Sequence, residues 1–141
     1  MTNLVDTLKL FPVPVFVCQI DNHKKINYEL EKYIYKIKND DPEGAKKSNA
    51  GGWHSADFIM QDNPPIQNFI SSFKSLLPDI FINHMGIDPR LKNIKIINMW
   101  SVINSKNTFN TKHNHPNCYF SAAYYVKTNE KSGHIKFFEP K

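Results

Sequence analysis

Two histidines one residue apart carry the first chemical signal in the chain: His113-Asn114-His115-Pro116. On an extended backbone residues i and i+2 point to the same side, so both imidazoles can reach one metal ion. A third ligand must come from elsewhere, and a catalytic metal site also keeps positions open for substrate. Surface or hydrogen-bonded histidines are the plain alternative. Four more histidines are of interest only by position. His54 lies in Gly51-Gly52-Trp53-His54-Ser55 and reads as packing, with a substrate-side wall as the alternative. His84 reads as a packed helix-end residue. His134 lies on an expected strand, and His23 near a helix start.

The elements that must position the pair can be read from periodicity. Phe11 to Ile20 alternates Val13, Val15 and Val17 with Pro14 and Phe16, which suits a strand confined to an edge by its prolines. Asp21 or Asn22 can cap a helix. Ile26, Leu30, Tyr33, Ile34 and Ile37 then form an amphipathic stripe. Asn39 to Gly52 reads as a loop, and Trp53 to Ile59 as a short strand. Pro64 and Pro65 suit a helix start. Ile66, Phe69, Ile70, Phe73, Leu76, Leu77, Ile80 and Phe81 keep helical spacing. Pro78 should split that helix near Leu77, and Gly86 should end it. Beyond Arg90 the period falls to two. Strands are expected over Ile94 to Val102, Tyr119 to Lys127 and His134 to Phe138, with a polar loop over Ser105 to Thr111. Helices followed by antiparallel strands give an α+β class.

Composition sets the frame. At 141 residues one domain is expected, long enough to bury roughly 68% of its unfolded surface without a staple. The chain divides into an amino-terminal strand and helical support over 1–90 and the first strands of a β core over 91–141. Of 18 basic residues Arg90 is the single arginine, so the net charge of +5 reads as a lysine surface rather than a base- or phosphate-reading site. Cys18 and Cys118 cannot build a disulfide framework or a four-cysteine zinc site. No apolar run approaches the ~20 residues of a membrane span, and Met1 to Leu10 lacks a signal-peptide pattern. The expected location is cytoplasmic.

Several ordered motifs share one resemblance: Trp100-Ser-Val-Ile-Asn104, His113-Asn-His-Pro116, Ser121-Ala-Ala-Tyr-Tyr-Val126, and Ser132-Gly-His-Ile-Lys-Phe-Phe-Glu-Pro140. Together they resemble a family of 2-oxoglutarate- and iron(II)-dependent oxygenases from bacteria and phages that is similar to prolyl hydroxylases. Phe11-Pro-Val-Pro14 and Gly51-Gly-Trp-His-Ser55 look like the amino-terminal half of that family.

The resemblance implies a double-stranded β-helix, a jelly-roll or cupin-like barrel, with amino-terminal helices packed on it. It implies Fe(II) and 2-oxoglutarate as cofactors and His113 as the first iron ligand. His115 stands where most relatives carry a carboxylate, so it either ligates iron or lies beside it. Tyr125, or its neighbour Tyr124, corresponds to the strand tyrosine that touches 2-oxoglutarate; core aromatics are the alternative for both. Trp100 and Asn104 lie near the site on the preceding strand. Asn104 either orients a ligand or closes the loop. The distal histidine and the basic 2-oxoglutarate anchor have no counterpart after His115 other than His134, so the barrel is expected to be incomplete and the sequence carboxyl-terminally truncated. An open sheet edge follows, which a homo-oligomer could cover.

The resulting expectation is a 2-oxoglutarate- and Fe(II)-dependent dioxygenase, a hydroxylase, or the amino-terminal part of one. Its substrate would be a small molecule or a peptide side chain. A non-catalytic interaction or structural fragment, and a cupin-type metal-binding protein that does not use 2-oxoglutarate, are the alternatives.

Overall fold

The computed structural model describes residues 13–90 and 95–139. Phe11 and Pro12 of the first expected strand, Ile94 at the head of a later one, and Pro140 lie outside the described residues. The order is α1 (His23–Asp40), β1 (Asn49–Ala50), β2 (Trp53–His54), α2 (Pro64–Lys74), a wide helical turn α3 (Asp79–His84), β3 (Val102–Ile103) and β4 (Phe109–Asn110).

The helices form where apolar residues recur at helical spacing. In α1 Leu30 is buried, and Ile26, Tyr33, Ile34 and Ile37 are half-buried along the same stripe. The cap differs from expectation. Asn22 adopts a left-handed backbone (φ 56°), and its side chain makes no cap bond. Its carbonyl instead receives the amides of Lys25 and Ile26. Asparagine is among the few residues that enter this region at low cost.

Helix α2 begins on Pro64 and Pro65, as their missing amides allow. It packs on α1 around Ile66, which is fully buried. Asn63 ties the two together, donating from Nδ2 to the Tyr33 hydroxyl (2.7 Å) and to the carbonyl of Ile59 (2.8 Å). Pro78 has no amide to offer Lys74, so α2 stops at Lys74 and α3 starts afresh at Asp79. Gly86, at φ 64°, turns the chain out, and the amides of Gly86 and Ile87 satisfy the carbonyls of Ile82 and Phe81.

The strands form one interrupted antiparallel ribbon. Asn49 faces Asn110 and Ala50 faces Phe109; then Trp53 faces Ile103 and His54 faces Val102. The pairing runs on past β2, with Ser55 N–H to Ser101 O (3.0 Å) and Phe58 N–H to Met99 O (2.7 Å). Two residues, Gly51 and Gly52, separate β1 from β2, whereas five, Asn104 to Thr108, separate β3 from β4. The extra length folds out as a turn, with Ser105 and Thr108 bonded to each other. Glycine suits this offset, since a Cβ at Gly52 would meet the Asn104 side-chain oxygen and lie 3.1 Å from the Ile103 carbonyl.

Three expected strands are not paired among the described residues. Val13, Val15 and Val17 are all exposed, so their alternation buries no face, and Pro14 has no donor for a ladder. In this segment Phe16 makes the contact, edge-on to His84 at 5.6 Å between ring centroids. His84 sits at its helix end as expected, yet largely exposed, with Nε2 3.6 Å from Asp79 Oδ2.

Residues 119–127 likewise lack a ladder partner among the described residues; of the face expected to turn inward Tyr124 and Val126 are half-buried, while Ala122 is exposed. Phe120 meets Phe81 (4.7 Å), and Tyr124 meets Phe69 (4.7 Å) and donates its hydroxyl to Asn27 Oδ1 (2.6 Å). Ser121, Ala123 and Tyr125 are exposed. Residues 134–138 are exposed throughout and unpaired. Cys18 and Cys118 are free thiols. Among the described residues no helix is long and apolar enough to cross a membrane.

Candidate metal centre

The ribbon delivers His113 and His115 to one place. Immediately after β4, the Thr111 amide and hydroxyl both donate to the carbonyl of Ser48, at 2.8 and 3.2 Å. This anchors the chain one residue past the ladder. Thr111 in turn offers its own carbonyl to His113 Nδ1 at 2.7 Å. A carbonyl only accepts, so Nδ1 carries a proton, and in the neutral ring the lone pair then lies on Nε2. That tautomer, held by a main-chain oxygen, is the form in which a histidine ligates a metal.

The His115 ring stands beside it, 4.9 Å between centroids and nearly perpendicular. Burial first, and then the repulsion that His113 would exert on a second imidazolium, lower the pKa of His115 from the ordinary histidine value. The neutral ring, the only form able to bind a metal, is thereby favoured. Two neighbouring imidazole rings thus supply the chemistry for part of a metal's donor set. Among the described residues, no group of three His, Cys, Asp or Glu gathers that could hold an ion.

Behind the pair stands a run of rings that periodicity did not reveal. Trp100 lies 5.7 Å from His115, tilted by 32°, and 5.6 Å from His54, nearly parallel at 16°. His54 is buried, and its Nδ1 faces the Ser55 carbonyl at 2.6 Å. The packing reading of His54 holds, and the packing is against Trp100. The link follows from strand register: His54 opposes Val102, which puts Trp100 on the same face one diagonal away. Register depends on partners far apart in the chain, so no local spacing could announce it.

The other candidates separate. Asn104 is engaged within the loop, donating Nδ2 to Asn110 Oδ1 (3.1 Å) and accepting from the Thr108 hydroxyl (3.4 Å). Tyr124 is half-buried against α1 and α2, and burial raises its phenol pKa. Tyr125 points the other way and is 57% exposed. Arg90 forks onto Asp88, its Nε 3.0 Å from both carboxylate oxygens and its Nη2 2.6 Å from Oδ2. This holds the Asp88 carboxyl below its usual range. His134 is exposed. Phe138 returns to the histidine-bearing loop, its ring 4.6 Å from the Lys112 ammonium.

Comparison with known proteins gives one match. Residues 98–141, the stretch that holds Trp100, both histidines and both tyrosines, match the family model described as "Putative 2OG-Fe(II) oxygenase". No curated protein and no solved structure matches the chain. The carboxyl-terminal third of the protein is thus similar to a family of 2-oxoglutarate- and iron(II)-dependent oxygenases.

Proposed function

We propose that the protein is a 2-oxoglutarate- and Fe(II)-dependent dioxygenase of the hydroxylase type, or the amino-terminal part of one, built on a double-stranded β-helix. The observation that carries this is the adjacency of His113 and His115 inside the segment similar to the oxygenase family. The Thr111 carbonyl on Nδ1 leaves Nε2 of His113 for a metal, and partial burial favours the neutral form of His115. Iron(II) with 2-oxoglutarate, when bound, supplies the oxidising chemistry by which such enzymes hydroxylate C–H bonds.

The chain's own residues bind and orient. His113 and His115 give two nitrogen ligands. Tyr125, on the face turned away from the helices, is the tyrosine available to 2-oxoglutarate, because Tyr124 is committed to Asn27 and Phe69. Asn104 holds the turn that spaces the histidines from Trp100. The substrate is a small molecule or a peptide side chain.

Anaerobic titration with Fe(II) and then 2-oxoglutarate tests the reading. The weak visible charge-transfer band of the ternary complex is expected in the wild type and absent in His113→Ala. A band that survives in His113→Ala removes His113 from the ligand set. Metal binding with no response to 2-oxoglutarate would favour a cupin-type metalloprotein instead.

A further inference from the structure

We infer that Trp100, backed by His54, is the positioning residue that sets the orientation of His115. The inference rests on the metal-binding reading above and concerns how the second nitrogen ligand is aimed.

The two histidines are held by different means. His113 is fixed by a directional hydrogen bond to the Thr111 carbonyl. His115 has no such bond among the described residues; its ring is bounded by other rings, Trp100 at 5.7 Å and His113 at 4.9 Å. An imidazole without a hydrogen bond rotates freely unless packing prevents it, and its nitrogens then point nowhere in particular. A flat neighbour of indole size removes most of that freedom, since tilted and stacked ring pairs have preferred geometries.

Trp100 can serve only if it is itself fixed. Its ring lies nearly parallel to His54, and His54 is buried in the ribbon with Nδ1 on the Ser55 carbonyl. The Ser55 hydroxyl also accepts the amide of Ser101, the residue next to Trp100, at 3.0 Å. The Ser55 amide donates to the Ser101 carbonyl at the same distance. Backbone and ring are therefore clamped together, and order passes from the buried ribbon through His54 and Trp100 to the exposed rim.

Two measurements separate this inference from the metal reading. In metal-free protein, the His115 ring protons should be shifted upfield in NMR spectra by the Trp100 ring current, and Trp100→Leu should remove that shift. An unchanged His115 signal in Trp100→Leu overturns the inference, whatever metal does. In the second, the protein is titrated with Co²⁺ alone. Trp100→Leu should weaken binding about tenfold or more, the usual scale for losing a group that orients a metal-bound histidine. Trp100→Phe, which restores a flat ring, should recover wild-type affinity. His54→Phe should retain affinity and His54→Ala should lower it, so the test does not depend on one variant folding well. Wild-type affinity in both Trp100→Leu and His54→Ala overturns the positioning role while leaving the metal reading intact. Co²⁺ binding that is undiminished in His113→Ala overturns the metal reading, and the role of the stack in ligation with it.

Discussion

The helical layer and the histidine rim are built on opposite terms. Between α1 and α2, Ile66 is wholly buried, Leu30 nearly so, and the polar groups that enter are bonded, as Asn63 is to Tyr33 and Ile59. At the rim His113 is exposed and His115 is half-buried. The first region removes surface from water and has no free chemistry. The second keeps lone pairs available and depends on the first, through the ribbon, for its shape. Stability and reactivity are thus assigned to different residues, and they can be perturbed separately.

The largest separable effect is expected at Ile66. Ile66→Ala removes buried methylenes where the neighbours cannot fully collapse, and should cost about 2–5 kcal/mol in urea unfolding. Co²⁺ affinity of the folded fraction should be unchanged. A parallel loss of affinity would show that the two regions are one cooperative site.

A smaller effect should divide two adjacent tyrosines. Tyr124→Phe loses the bond to Asn27 and should cost about 1 kcal/mol of stability, with no change in 2-oxoglutarate affinity. Tyr125→Phe should do the reverse. The same outcome for both would erase the distinction between the two faces of this segment.

The smallest effect belongs to the surface ion pair of Lys127 with Glu31, at 2.5 Å. Glu31→Gln should move the thermal midpoint no more than an exposed control substitution, and any difference should vanish in high salt. A large shift would mean that residues near 127 are held to α1 mainly by charge.

How much of this was legible in the sequence depends on the range of the interaction. The stripes of α1 and α2 were legible because burial of one helical face selects apolar residues every three or four positions. Pro78 was legible because a missing amide acts within its own turn. The alternation of residues 119–127 announced a face of which only Tyr124 and Val126 are half-buried, and not what would pair with it, since a ladder partner leaves no local mark. The cap position at Asn22 was legible from residue type, but not that its carbonyl and not its side chain would receive the amides. The stack of His54 on Trp100 was hidden for a different reason. It depends on a register between residues 46 positions apart, which only the folded ribbon sets. The pairing of His113 with His115 needed only their spacing, whereas the tautomer of His113 needed the position of one carbonyl.

The unequal spacers of the ribbon have a mechanical consequence. Two residues on one side are matched by five on the other, and ladders lie on both flanks of the mismatch. Sliding either strand by one step would break both ladders together and turn His54 and Trp100 to opposite faces. The turn from Asn104 to Thr108 therefore works as a detent. It locks the ribbon at a single setting and, in doing so, fixes the length of chain between the indole of Trp100 and the two imidazoles that follow it.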